Sequence, residues 1–126
     1  MLYLILLDYL QPLPEVEIHL AAHREFLARH YAAGHFLLSG RREPRTGGVI
    51  LARAESLAEV SRWVDEDPFR QAGIARHEII AWVPGLRSED VPAAWVPNAV
   101  VAKAQPQGVA EPSMPKPDAA ITRQES

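Results

Sequence analysis

The chain has 126 residues and a mass of 14.0 kDa, enough for one domain and too little for two independent cores. Its residues are 48% apolar and 23% charged, as in an ordinary globule, and the net charge of −3 lacks the basic excess of a dedicated nucleic-acid binder. The absence of cysteine excludes a disulfide framework, a thiolate nucleophile and any Cys-based metal centre.

Leu2 to Leu7 is an unbroken apolar run, as a central strand buried on both faces requires. No basic residue precedes it, Asp8 ends it and no small-residue cleavage pattern follows, so it does not read as a secretion signal. Nowhere do roughly 18 apolar residues follow one another, so no membrane span is predicted and the cytoplasm is the expected location. Pro12 and Pro14 break the chain ahead of a helix predicted over 15–33. On its wheel Val16, Leu20, Leu27 and Tyr31 form an apolar seam, and His23 lies beside it. Gly34 supplies the stop. A second strand is expected over 35–39 and a third over 49–52, joined by a hairpin loop from Gly40 to Gly48. Ser56-Leu-Ala-Glu59 is a capping box, opening a helix to about Asp65 with Leu57, Val60, Trp63 and Val64 inward. Pro68 ends it, and a fourth strand spans Glu78 to Val83 before Pro84-Gly85.

The order β-α-β-β-α-β with two right-handed crossovers predicts an α+β, ferredoxin-like sandwich of the dimeric α/β-barrel type, with both helices on one face of the sheet. The strands are apolar on both sides, so the other face would be a large sticky patch. A homodimer through the open sheet face resolves this. Seven of the eleven prolines lie beyond Val83. Residues 1–85 thus read as the domain, followed by a Pro-rich C-terminal extension. Its first part, 86–104, carries Trp95, Val96, Val100 and Val101 and could dock on the domain or a partner subunit. Its second part, 105–126, reads as a flexible tail.

Among side chains able to carry chemistry, His23 leads, because an imidazole titrates close to neutral pH. The plain alternative is a core-edge histidine bonded to backbone. Asp65, Glu66 and Asp67 crowd three acids at a helix C-terminus, where the macrodipole prefers cations. Asp67-Pro68 is equally an N-cap and N1 pair for a short turn ending at Gly73. His19 and His23 share a helix face at chelating spacing, but two imidazoles do not make a metal site and none is assigned. Arg41, Arg42 and Arg45 crowd the hairpin and could receive an anion, or simply be solvated. Ser39 and Gly40 end the second strand with Arg41 next in the hairpin, and Asp8 ends the first, where they could line one cleft. His77, Trp82, Phe26 and Phe69 read most simply as core or interface. No phosphate loop, serine-nucleophile motif or dinucleotide fingerprint occurs, so cofactor-free proton chemistry is expected, with neither nucleic acid nor membrane as partner.

Several segments together are similar to one family. Leu2-Tyr-Leu-Ile-Leu-Leu-Asp8, Ala22-His23-Arg-Glu-Phe-Leu27, Gly34-His-Phe-Leu-Leu-Ser-Gly40 and Asp65-Glu-Asp-Pro-Phe69 with Ala72-Gly-Ile74 resemble the YCII-related family over about residues 1–85. The resemblance implies a dimeric ferredoxin-like fold akin to muconolactone isomerase and a His–Asp active-site pair, here His23 and Asp67. It also implies Phe69 of the Asp-Pro-Phe motif among the substrate-binding residues. One branch of the family eliminates chloride from a chlorinated hydroxyquinone. Ser39-Gly40-Arg41-Arg42 stands where many relatives have Ser-Gly-Pro.

The expectation is a small acid–base enzyme, a lyase or isomerase acting on an acidic or enolisable substrate. His23 would be its acid or base and Asp67 the orienting partner. The alternative is a non-catalytic dimeric module that binds a ligand or recruits a partner through its tail, and a weaker one is a metal-binding regulator using His19 and His23.

Overall fold

The computed structural model describes residues 1–102; residues 103–126, and with them the expected tail, lie outside the described residues. Four strands, β1 (Leu2–Tyr9), β2 (Phe36–Arg41), β3 (Gly47–Arg53) and β4 (Ala75–Trp82), form one antiparallel sheet in the order β2-β3-β1-β4. The apolar β1 takes a central place between β3 and β4. Period-two alternation sends Tyr3, Ile5 and Leu7 into the core, where they meet Val16, Phe26, Val60, Trp63 and Val64. These come from the helices α1 (Leu13–Ile18), α2 (Leu20–Ala32) and α3 (Leu57–Asp65), which with the short α4 (Pro68–Gln71) cover this face. The result is the expected ferredoxin-like α+β sandwich. Among the described residues no helix is long and apolar enough to cross a membrane.

The first helix departs from expectation. His19, at φ −101° and ψ 4°, leaves the helical region and divides it into α1 and α2. A wheel drawn straight through this residue loses its phase. His23, Phe26 and His30 are the buried side chains of α2, while Tyr31 of the anticipated seam is exposed. Gly34 ends α2 with φ +80°, a conformation that costs any residue with a Cβ. Ser56 caps α3 as the sequence indicates, its Oγ accepting from Glu59 N–H at 3.2 Å. The Glu59 carboxylate reaches one residue further back, to the N–H of Glu55. Leu57 is exposed, and Val60, Trp63 and Val64 alone form the inner stripe.

The face turned away from the helices carries a row of apolar side chains. Leu38, Leu51, Leu4 and Ile80 stand side by side across all four strands. Leu38 and Ile80 are 56% and 40% exposed. At one end of this face Leu2 lies opposite Arg53 and Trp82, yet is buried. There Arg53 Nη1 donates to the carbonyl of Ala94 at 3.0 Å, and Val96 is buried. The segment after β4, with the paired β5 (Leu86–Arg87) and β6 (Val100–Val101), thus covers the Leu2 end of the open face.

Candidate active site

Asp67 is the most enclosed polar group of the described residues, with no solvent exposure at all. It stands between α3 and α4, where Pro68 at the first helical position leaves the Asp67 side chain free to cap Phe69 N–H at 2.9 Å. The same oxygen, Oδ1, lies 2.8 Å from His23 Nδ1 on α2. The other, Oδ2, lies 2.8 Å from His77 Nε2 on β4. An ionised carboxylate only accepts, so both ring nitrogens carry the proton of their bond. Burial pushes the Asp67 carboxyl up; the hydrogen bonds from His23 and His77, with that of Phe69 N–H, outweigh it and hold the group at about 2. Asp67 is therefore an anion throughout the neutral range, and the cap and the histidine contact coexist.

The tautomer of His23 follows. With Nδ1–H on the carboxylate, the neutral ring carries its lone pair on Nε2. Among the described residues no group bonds that nitrogen, and it is not enclosed. The ring stacks on Phe69 with centroids 4.0 Å apart and planes 3° from parallel. It forms part of the wall of a cleft of about 480 Å³. Leu7, Tyr9 and Leu20 give this cleft an apolar floor, and Ser39, Gly40 and Arg41 of β2 contribute its edge. Ser39 Oγ is 2.6 Å from the hydroxyl of Tyr31. Arg24, Arg41 and Arg45 bring three guanidinium groups to the cleft against one carboxylate, Glu17, which pairs with Arg45 at 3.3 Å. An imidazole base over an aromatic platform, ringed by cations, can take a proton from a small molecule and stabilise negative charge left on it.

Of the residues singled out from the sequence, His23, Phe69, Ser39, Gly40 and Arg41 come together around this cleft, and Asp67 stands directly behind His23. Asp8 does not join them. Leu7 and Tyr9 face the cleft, so alternation turns the residue between them to the opposite side of the sheet. There Asp8 pairs with Arg42 and with Arg76, the latter at 3.0 Å. The hydrogen bond from Arg76 holds its carboxyl below the usual range even against burial. Arg42 leaves the cleft for the same reason. His19 is half-buried at the helix break and does not line the cleft with His23.

His77, read from the sequence as a core residue, is part of this network. The signal was the alternation of β4. Because the strand starts at Ala75 and not at Glu78, Ala75, His77 and Ile79 fall on the helix-facing side. A second histidine group also escaped sequence reading. His30 Nε2 lies 2.8 Å from Glu66 Oε1 and its Nδ1 2.9 Å from His35 Nδ1, while His35 stacks on Trp63. Burial and the neighbouring His30 lower the proton affinity of His35.

The YCII-related domain model matches residues 1–83. Among solved structures, the 5-chloro-2-hydroxyhydroquinone dehydrochlorinase of Burkholderia phenoliruptrix AC1100, in complex with 2,5-dihydroxybenzoquinone, is similar with a TM-score of 0.58. The two are 28% identical, and the likeness covers 68% of this chain and 96% of that one. No curated protein matches the chain.

Proposed function

Because the chain belongs to the YCII-related domain family, we propose that it is a small-molecule lyase or isomerase in which His23 moves a proton on an acidic or enolisable substrate. The observation that carries this reading is the 2.8 Å contact between His23 Nδ1 and Asp67 Oδ1, with the opposite ring nitrogen open to the cleft. The likeness to a dehydrochlorinase, 28% identical over nearly all of that chain, favours elimination from a hydroxyquinone-like ring.

His23 Nε2 takes a proton from an acidic C–H or O–H of the substrate. The electron pair left behind either expels a leaving group on the neighbouring carbon or is reprotonated at another position by the same imidazolium. Asp67 holds the ring in the reactive tautomer and stabilises its positive charge while the proton is on it. Phe69 supports a flat substrate from beneath the histidine. Arg41, with Arg24 beside it in the cleft, stabilises the developing oxyanion, and Ser39 and Gly40 shape the edge. Two copies joined through their open sheet faces would bury the row Leu38, Leu51, Leu4 and Ile80 and complete the dimeric barrel.

The test is chloride release and product absorbance with chlorinated hydroxyquinones, comparing the wild type with His23→Ala and His23→Gln. Positioned acid–base catalysis contributes about 10²–10⁴-fold, and a loss of that size in folded variants is expected. Wild-type turnover that survives in either folded variant rules out His23 as the base.

A further inference from the structure

The Asp67 carboxylate has a second anchor that the proton transfer itself does not use. We propose that His77 is a positioning residue: its Nε2–H holds Asp67 Oδ2 so that Oδ1 stays on the His23 Nδ1–H, which sets the tautomer and basicity of the ring in the cleft. This rests on the reading of His23 as the reactive group, but its test does not require turnover.

His77 lies opposite Leu7 on the helix-facing side of β4, with a side-chain exposure of 1%. Its strand neighbours on that side are Ala75 and Ile79, and an apolar residue would satisfy packing there. The histidine instead leaves its Nδ1 buried without a partner, a cost that packing does not offset. What the position gains is the bond to Oδ2. Oδ1 already accepts from both His23 and the Phe69 N–H, whereas His77 is the one donor to Oδ2 among the described residues. Without it Oδ2 is a buried charge-bearing oxygen with no donor, and the carboxylate gains by turning away from His23 or by taking up a proton.

The geometry of His77 completes the device. Its Nε2–H donates to Oδ2, and its Nδ1 is buried with no acceptor among the described residues, so the ring in this arrangement is a neutral donor. A neutral donor fixes the carboxylate in place without cancelling its charge. The whole negative charge then remains available to the imidazolium that forms at His23. The other ionic groups near these rings are Glu17, Arg24, Arg41 and Arg45 in the cleft by His23, and Asp65 and Arg70 in a smaller hollow that His77 also lines. All of them are unchanged in the comparison below.

The experiment is an NMR titration of ring nitrogens in the full-length protein without ligand, for the wild type, His77→Leu and His77→Gln. In His77→Leu the carboxylate loses its Oδ2 donor and turns from His23 or takes up a proton, so the imidazolium at His23 loses its partner and the His23 midpoint falls by about half a unit or more. Gln places an amide N–H near the lost Nε2–H, so His77→Gln returns the midpoint towards the wild-type value. A His23 midpoint that is unchanged or raised in folded His77→Leu overturns the proposal. Should that variant not fold, the wild type decides: the ring resonances of His77 shift as His23 titrates if Asp67 links them, and a His77 spectrum blind to His23 overturns it. Linked titrations in a protein that turns over no substrate leave His77 in this role and remove the proposed catalysis.

Discussion

Asp67 gives one oxygen to a histidine in the cleft and the other to a histidine under the sheet, and it caps a helix as well. Such a group ties function to stability, because the charge that orients His23 is also held by the fold. Its folded-state value of about 2 lies below the ordinary 3.8, so the contribution is complete above the ordinary value and is lost as pH falls towards the folded one. On the order of 2 kcal/mol of stability should disappear between about pH 5 and pH 2, read from urea midpoints across that range. Asp67→Asn should flatten this acid limb and lower turnover by about 10²-fold or more, since an amide no longer enforces the Nδ1–H tautomer. An acid limb of the same slope in the variant would assign the loss to other carboxylates.

At the scale of elements, two local devices hold the cleft's walls in register. The Ser56 cap starts α3, whose far end presents Asp67, and Ser56→Ala should cost about 1 kcal/mol in denaturant unfolding with little change in the His23 environment. Gly47 begins β3 against β1, where an added Cβ would overlap the carbonyl of Leu7, one of the cleft residues. Backbone cannot yield there as a flexible side chain does. Gly47→Ala should therefore destabilise by about 2–3 kcal/mol or more and disturb the cleft, visible as a lowered thermal midpoint and shifted Leu7 and Tyr9 resonances. Gly34, whose neighbourhood is open, should tolerate Ala at a cost of about 1 kcal/mol from its positive φ alone.

For the molecule as a whole, the sandwich buries one face of its sheet and leaves the other apolar, and among the described residues only its Leu2 end is covered, by the segment that carries Ala94 and Val96. Water against Leu38, Leu51, Leu4 and Ile80 is the force that would drive a second copy onto this face. Ile80→Glu places a charge in the middle of the row. Sedimentation velocity should show a dimeric wild type and a monomeric variant with its fold retained, because the position is partly exposed in the single chain. A wild type that sediments as a monomer removes the paired-sheet proposal.

Periodicity and punctuation in the chain were enough for the fold. The apolar β1, the Ser56 cap, the Gly34 stop and the β-α-β-β-α-β order are local signals, each set by the few residues that make it. They were also enough to single out His23 and to draw Ser39, Gly40 and Arg41 towards a cleft, while Asp67 as the partner of His23 and Phe69 as a site residue came from the family resemblance. The tertiary structure alone decided which oxygen of Asp67 meets which ring, because His23, Asp67 and His77 stand on three elements far apart in the chain. It alone decided the break at His19, which rephased the first helix. Asp8 lies across the sheet from the cleft by alternation, a rule the sequence does carry. Local propensity acts between neighbours along the chain, whereas hydrogen bonds to a buried carboxylate depend on how packed elements meet, and that geometry exists only when the core has formed.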